Sequence, residues 1–418
     1  MKKVLVITYY WPPSGGSGVQ RWVKFAKYLP KEGWEPVIYA PENADYPAID
    51  KTIGEELPET LEVVRRPIRE PYAIYRRLMG KGVSREVTEI SSGKKTWKQR
   101  LSLWIRANIF VPDPRVWWVG PSVRFLKKYL REHPVDAIVT TGPPHSVHLI
   151  GLKLHKKLGT PWVPDFRDPW SRMYYLKHLP MTNATWRQLK NQEQAVLDGA
   201  TTVLAVTPIV QEEFQAQTKT PVAMITNGYD AADFAGPAPD PDGYFNITHT
   251  GLFAKDGNPI KFWKVLGEMP EEFRKKLRIR LIGTVDKEVL EAISANGLAD
   301  NVVSLGYLDH ASAVQEQRAA TILLLPLRND PQYRPILPGK LFEYLASRRP
   351  ILGIGQTDGA MARVISDAAA GETFDWDDEA GMRRFLEKEP RTTEGNIEKY
   401  TRENLTAELA RLLESISE

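Results

Sequence analysis

The chain has 418 residues, 42% hydrophobic and 26% charged, with no cysteine and a formal net charge of +4. That length exceeds one ordinary domain and that balance is globular, while the missing cysteine excludes disulfides, thiol nucleophiles and thiolate zinc sites. The seven histidines show no HExxH-like spacing, no run of 18 apolar residues is present to span a membrane, and the N-terminus enters a strand with no signal peptide, so a cytoplasmic location is the expectation.

Strand-like and helix-like runs alternate along the chain. In the first half, strands are expected at 3–8, 35–39, 61–64, 135–140, 162–166, 202–205 and 222–225, with helices at 18–30, 121–131, 146–158 and 186–198. After the first strand comes Tyr9-Tyr10-Trp11-Pro12-Pro13-Ser14-Gly15-Gly16-Ser17-Gly18. Glycines there let backbone N–H groups approach a phosphate beside a helix start. The spacing is neither GxGxxG nor a Walker loop, so a nicotinamide or P-loop reading is weak; a plain tight turn is the alternative. Thr141-Gly142-Pro143-Pro144-His145-Ser146 follows another strand, at the carboxyl end where open parallel sheets bind ligands. His145 falls at or before a helix start, which favours its neutral form; it suits a sugar hydroxyl or a reacting group, or else caps the helix. Asp165-Phe166-Arg167-Asp168-Pro169-Trp170 follows the strand at 162–166. Three charges and an aromatic there read as a site or as an internal salt bridge.

Asn227-Gly228-Tyr229-Asp230 is a turn by composition, and the stretch 234–243, rich in Pro and Gly, reads as an interdomain linker. Its Asp240-Pro241-Asp242 matches a metal-binding string by chance only, with no strand beside it, and no metal site is expected. The second half restarts the pattern, with strands at 245–250, 279–282, 302–305, 321–325 and 351–354. Gly251 and Lys255 follow its first strand, and Arg328 follows the strand at 321–325; glycine admits a phosphate and the cations neutralise it. Then comes Pro338-Gly339-Lys340-Leu341-Phe342-Glu343-Tyr344-Leu345-Ala346. It reads as a glycine turn and a short helix with one acid near its start, where the helix dipole favours it and where a sugar's paired hydroxyls find an acceptor. A solvated Glu on a packed helix is the plainer alternative. A last helix at 396–416 carries a leucine stripe that suits packing back onto the first domain.

The net charge hides an asymmetry: residues 65–131 hold 17 Lys/Arg against 4 Asp/Glu. Within them, Trp97, Leu101, Trp104, Ile105 and Ile109 form one face at helical spacing. A basic aromatic surface of this kind fits a peripheral membrane contact; core packing fits it too.

Together these motifs resemble the family 4 glycosyltransferases of the GT-B fold, of the bacterial cell-surface polysaccharide type. The resemblance covers nearly the whole chain and implies an α/β protein: two Rossmann-like doubly wound domains facing across a cleft. The N-terminal acceptor domain is expected at 1–236, the nucleotide-sugar donor domain at 237–395, and the returning helix at 396–418. The family's Glu-x7-Glu motif places its second acid, the ribose contact, at Glu343; its first falls on Pro335, so that acid is missing here, with Lys340 a replacement contact. Of the family's basic pair on the diphosphate, Lys255 matches the first, and Lys261 is the nearest candidate for the second. Gly16 matches the glycine that approaches the donor phosphates, and His145 the histidine near the reacting sugar.

The expected function is a retaining, metal-independent glycosyltransferase. It takes a sugar from a nucleotide-diphosphate donor, UDP-sugar being the commonest, to a lipid-linked or saccharide acceptor. No cofactor and no nucleic acid are expected. The residues expected to carry it are His145, Lys255 and Glu343 in catalysis; Gly15, Gly16, Gly251, Lys255, Arg328, Gly339, Lys340, Leu341 and Glu343 on the donor; and Trp11, Arg167 and Asp168 on the acceptor. A non-hydrolysing nucleotide-sugar epimerase on the same fold, and a non-enzymatic anion or nucleic-acid binding protein driven by the basic region, are the alternatives.

Overall fold

The apolar runs of the first half pair edge to edge into one parallel sheet. The computed structural model describes residues 1–50, 52–70, 97–239, 242–388 and 392–418. In it, β1 (Lys2–Thr8), β2 (Trp34–Pro41), β3 (Glu62–Arg66), β4 (Ala137–Gly142), β5 (Trp162–Phe166), β6 (Val203–Ala205) and β7 (Val222–Met224) align in the order β3-β2-β1-β4-β5-β6-β7. Every residue of β4 and β5 is buried, as a parallel sheet covered on both faces requires. Alternation sends Leu5 and Ile7 to one core, with Trp118, Val147 and Ile150, and Val4 and Val6 to another, with Val19, Trp22 and Phe25. The covering helices are α1 (Ser17–Tyr28), α2 (Trp97–Ile109), α3 (Val116–Glu132), α4 (Ser146–Leu158), α5 (Asn183–Gly199) and α6 (Pro208–Gln215). Helix α3 starts five residues before its expected start and runs through Pro121. Packing overrides the local signal there: Trp118 is buried and stacked on Tyr39, with centroids 5.3 Å apart.

The second sheet is built from β8 (Phe245–Thr250), β9 (Leu277–Ile282), β10 (Val302–Gly306), β11 (Ile322–Pro326), β12 (Ile351–Ile354) and β13 (Gly371–Phe374), in the order β10-β9-β8-β11-β12-β13. Its helices are α7 (Ile260–Gly267), α8 (Glu271–Lys276), α9 (Lys287–Ala295), α10 (His310–Arg318), α11 (Lys340–Ala346), α12 (Ala360–Asp367) and α13 (Glu379–Glu387). Strand β13 carries no apolar run, which is why the sequence reading passes over it. Gly371 makes it possible: at φ 148° it lies so near Ile351 that a Cβ would stand 2.0 Å from that residue's carbonyl oxygen.

The chain divides into one unit of Met1–Thr226 with Leu405–Glu418, and a second of Asn227–Asn404. The boundary thus falls ten residues before the 236/237 position expected from the Pro/Gly stretch. Tyr229 packs with Leu323, Leu341 and Tyr400, and Phe234 lies against the same core, so this segment belongs with the second sheet. Residue pair Tyr229 and Thr401 forms a bridge there, which makes the Asn227–Asp230 turn structural, as expected. The last helix, α14 (Arg402–Ser417), carries Leu405, Leu409 and Leu413 into the core under α1.

Both sheets reverse strand order at one place, between β1 and β4 in the first and between β8 and β11 in the second. Ligands of open α/β sheets bind beyond the strand ends at such points, so the loops after these four strands are where a site is built.

Candidate active site

Beyond β1, Gly15 donates its N–H to the Ala48 carbonyl at 2.9 Å, and a Cβ on it would meet Asp50 Cβ at 3.2 Å. Gly16 follows at φ 89°, exposed, with open space where a Cβ would go. It is the N-cap of α1, which has no side-chain cap and no acid in its first turn; Val19 N–H donates to its carbonyl at 3.3 Å, and Gly16 itself is the exposed backbone at this helix start, where an anion is favoured. Trp11, expected on the acceptor, is 1% exposed and packs with Val19 and Trp22. The correction is steric: its ring is core and reaches no ligand.

Asp165 and Arg21 form a fully buried pair, Oδ1 to Nη2 3.1 Å. Trp22 Nε1 and Thr141 Oγ1 donate to the same carboxylate, at 2.7 and 2.9 Å, and Arg21 also reaches the carbonyls of Ile225 and Thr226. Arg167 was expected on the acceptor. Its guanidinium instead donates to the carbonyls of Gly142, Gly18 and Pro143, so it ties the glycine loop to the Gly-Pro-Pro loop. Asp168 is half-buried, has no hydrogen-bond partner among the described residues, and burial pushes its pKa up against the pull of Arg167. It alone of the three expected acceptor contacts keeps an uncommitted polar group.

His145 is the N-cap of α4, as expected, but its surroundings differ. The ring stacks on Trp170, centroids 5.0 Å apart with planes nearly parallel, and both nitrogens are buried without a partner among the described residues. Burial first, then His148 and Arg167, hold it neutral well below the usual range. In this arrangement neither nitrogen is exposed. Beside it, Trp162 Nε1 donates to Thr140 Oγ1, which lies 2.9 Å from His148 Nδ1, and burial lowers His148 to about 3. The first amide of α4 is taken by Asp113, which accepts from Ser146 N at 2.8 Å and Ser146 Oγ at 2.9 Å. A second network, Tyr9 to Glu70 at 2.8 Å and Arg115 to Glu70 at 3.1 Å, has no motif that announces it.

In the second unit the loops come together around α11. Gly251, at φ 89°, sits where a Cβ would be 3.2 Å from Lys340 Nζ. That ammonium lies 3.1 Å from His249 Nε2 and makes no ion pair among the described residues. Burial brings its pKa down to about 8, against the pull of Glu343. Gln317 Nε2 of α10 donates to Glu343 Oε2 at 3.0 Å, while Oε1 has no donor among the described residues. Tyr344 Oη accepts from Thr250 N at 2.9 Å, tying α11 to the end of β8. His249 and Gln317 are participants the sequence reading missed, since neither belongs to a motif.

The other expected donor contacts are placed less tightly. Leu341 is wholly buried in the core with Phe342 and Leu345, so its side chain cannot touch a ligand. Gly339 is exposed at the N-cap of α11. Lys255 is exposed, 3.6 Å from Glu288, and Arg328 is 3.5 Å from Asp256 in the same loop. Lys261 pairs with Glu379 of α13 at 3.1 Å. Asp240 and Pro241 of the acidic string lie outside the described residues, as do residues 71–96 of the basic region. On α2, Trp97, Leu101, Trp104 and Ile109 are exposed while Ser102 and Ala107 face the core. Among the described residues no helix is long and apolar enough to cross a membrane.

The family model described as Glycosyltransferase Family 4 matches residues 85–233, which bears out the resemblance over that stretch. No curated protein sequence matches. Solved structures match over nearly the full chain. The lipopolysaccharide outer core galactosyltransferase WaaB is 13% identical, TM-score 0.61, over 99% of each chain. A glycosyltransferase from Rickettsia africae is 12% identical, TM-score 0.60, over 99% of this chain and 98% of its own. The α,α-trehalose-phosphate synthase (UDP-forming) from Burkholderia vietnamiensis is 12% identical, TM-score 0.59, over 100% and 99%. The fold class expected from the motifs is the one these glycosyltransferases share.

Proposed function

We propose that this chain is a retaining glycosyltransferase that takes a sugar from a nucleotide-diphosphate donor, with the second unit holding the donor. One observation carries the reading: beyond β8 and β11, Lys340 offers a half-buried cation with no acidic ion-pair partner, and Glu343 offers a carboxylate with one oxygen uncommitted, among the described residues. A cation for a diphosphate and an acceptor for paired ribose hydroxyls are the two groups a nucleotide sugar asks for. Lys255, exposed, and Arg328, half-buried, add positive charge on neighbouring loops. In the first unit the exposed backbone at Gly16 and the carboxyl of Asp168 are the groups that suit a phosphate and an acceptor hydroxyl.

In the reaction, the bond from the sugar's anomeric carbon to the phosphate oxygen breaks, and charge collects on the leaving diphosphate. Cations and amides set in advance stabilise that charge most. The acceptor hydroxyl attacks on the face the diphosphate leaves, and its proton passes to a leaving phosphate oxygen, so configuration is retained. This chemistry asks for no metal ion and no cofactor. UDP-sugars are the first donors to test, the match to a UDP-forming synthase being in keeping with that choice.

A panel of nucleotide sugars in a thermal-shift assay tests the donor. A donor at 100 times its dissociation constant should stabilise the protein by about 2.7 kcal/mol; no shift from any of them rejects the reading. Turnover needing an acceptor separates transfer from epimerisation, which would rearrange the donor alone. The acceptor is a lipid-linked or saccharide chain, as in surface polysaccharide assembly, met at the cytoplasmic face of a membrane. The exposed Trp97, Leu101 and Trp104 within a basic segment suit that surface. Co-sedimentation with anionic but not neutral vesicles, weakened by Trp104→Ser, is the expected result; equal recovery with both kinds of vesicle rejects it.

A further inference from the structure

His249 belongs to no motif, yet it shapes the donor side of this site. It is the fifth residue of β8, 2% exposed, with its ring against Phe253 at a centroid distance of 4.2 Å. Its Nε2 faces Lys340 Nζ at 3.1 Å. An ammonium donates and cannot accept, so Nε2 carries the lone pair and the ring proton sits on Nδ1, which is buried without a partner among the described residues. The ring is neutral, held so by burial first and by the Lys340 charge second. Two charged or titratable groups face the ammonium: His249 from β8 and Glu343 from its own helix. Gly251 supplies the third element, since any larger residue would bring a Cβ within 3.2 Å of Nζ. A neutral acceptor orients a cation without cancelling its charge, which an aspartate in the same place would do.

We infer that His249 is a positioning residue for donor binding: it holds the Lys340 ammonium beside Gly251 so that its remaining N–H groups meet a diphosphate oxygen. The inference rests on the nucleotide-sugar reading above and adds to it which cation takes the diphosphate and what sets that cation in place. It also gives the helix a use for Lys340 where the family's first acid is replaced by Pro335.

Calorimetric titration of the full chain with UDP, GDP and inorganic pyrophosphate between pH 6.5 and 9.5 tests it. Wild-type affinity for the diphosphate that binds should fall about tenfold as pH rises past the Lys340 value of about 8. Lys340→Met should bind about tenfold more weakly at pH 7, with no such fall. His249→Phe removes the acceptor, so it should also bind about tenfold more weakly, and its fall should begin at lower pH. His249→Gln keeps an acceptor oxygen and should recover affinity to within about threefold. Wild-type affinity and pH profile in His249→Phe, or wild-type affinity in Lys340→Met, overturn the inference. Should His249→Phe fail to fold, nitrogen NMR of the His249 ring decides: proton on Nδ1 in wild type, moving to Nε2 in Lys340→Met. The same tautomer in both overturns it. A wild type that binds none of the three ligands rejects the nucleotide-sugar reading itself, whereas binding that no variant alters removes the positioning role alone.

Discussion

Beyond β1 and β4, the Arg21 guanidinium is spent on Asp165 and two carbonyls, and Arg167 on three more carbonyls. Asp113 is spent on the start of α4. Beyond β8 and β11, Lys340 has a neutral imidazole for company and Glu343 a single amide, with Lys255 and Arg328 in solvent-facing pairs. The two places occupy the same position in the same topology, but the guanidiniums of the first are used up by its own carbonyls and carboxylate, while the cation and the acid of the second keep capacity for a partner. Charge at a reversal point is thus no guide by itself; what tells a scaffold from a binding group is whether its hydrogen-bonding capacity is already used.

Breaking the self-satisfied side should cost the most. Asp165→Ala leaves Arg21 buried and uncompensated, so denaturant unfolding should show a loss of about 3–5 kcal/mol; a loss under 1 kcal/mol would mean the pair is not holding the loops. Glu343→Ala should do the reverse. It should weaken donor affinity by about 2 kcal/mol, roughly 30-fold by titration, and leave the melting temperature without ligand close to wild type. A third measurement sharpens the contrast within the first unit. The folded-state pKa of His148 is depressed to about 3 from an unfolded value near 6.5. Its contribution is therefore complete above pH 6.5 and is lost as pH falls toward 3. Relative to His148→Gln, the wild type should lose about 1.4 kcal/mol for each pH unit in that window. Parallel pH curves for the two proteins would show that the ring protonates without resistance.

The strands of both sheets were legible because buried parallel strands are short unbroken apolar runs, as at 322–325 and 351–354. Strand β13 was not, since Gly371, Glu372 and Thr373 give no such run and the pairing depends on a missing Cβ. Motifs located the site loops but not the use of each side chain. Arg167 and Asp168 are neighbours in one motif, yet the first is consumed by carbonyls and the second is not. Trp11 and Leu341 sit in motifs and pack inward. His249 and Gln317 carry no local signal at all: their importance comes from β8 and α10 converging on α11, which is long-range information that no spacing holds.

Helix α14 has a consequence for anyone who would cut this protein in two. Leu405, Leu409 and Leu413 cover the same core as Val19 and Trp22, and Lys2 Nζ meets Glu414 Oε1 at 2.6 Å. Synthesis delivers these leucines only after residues 227–404, so the half made first must wait, with one flank unsealed, until that segment has emerged. A fragment ending at residue 226 should therefore be sticky and poorly behaved, whereas supplying 402–418 as a separate peptide, or splicing it on through a short tether, should restore it. The segment 227–404, lying wholly between the two crossings, is the piece to express alone.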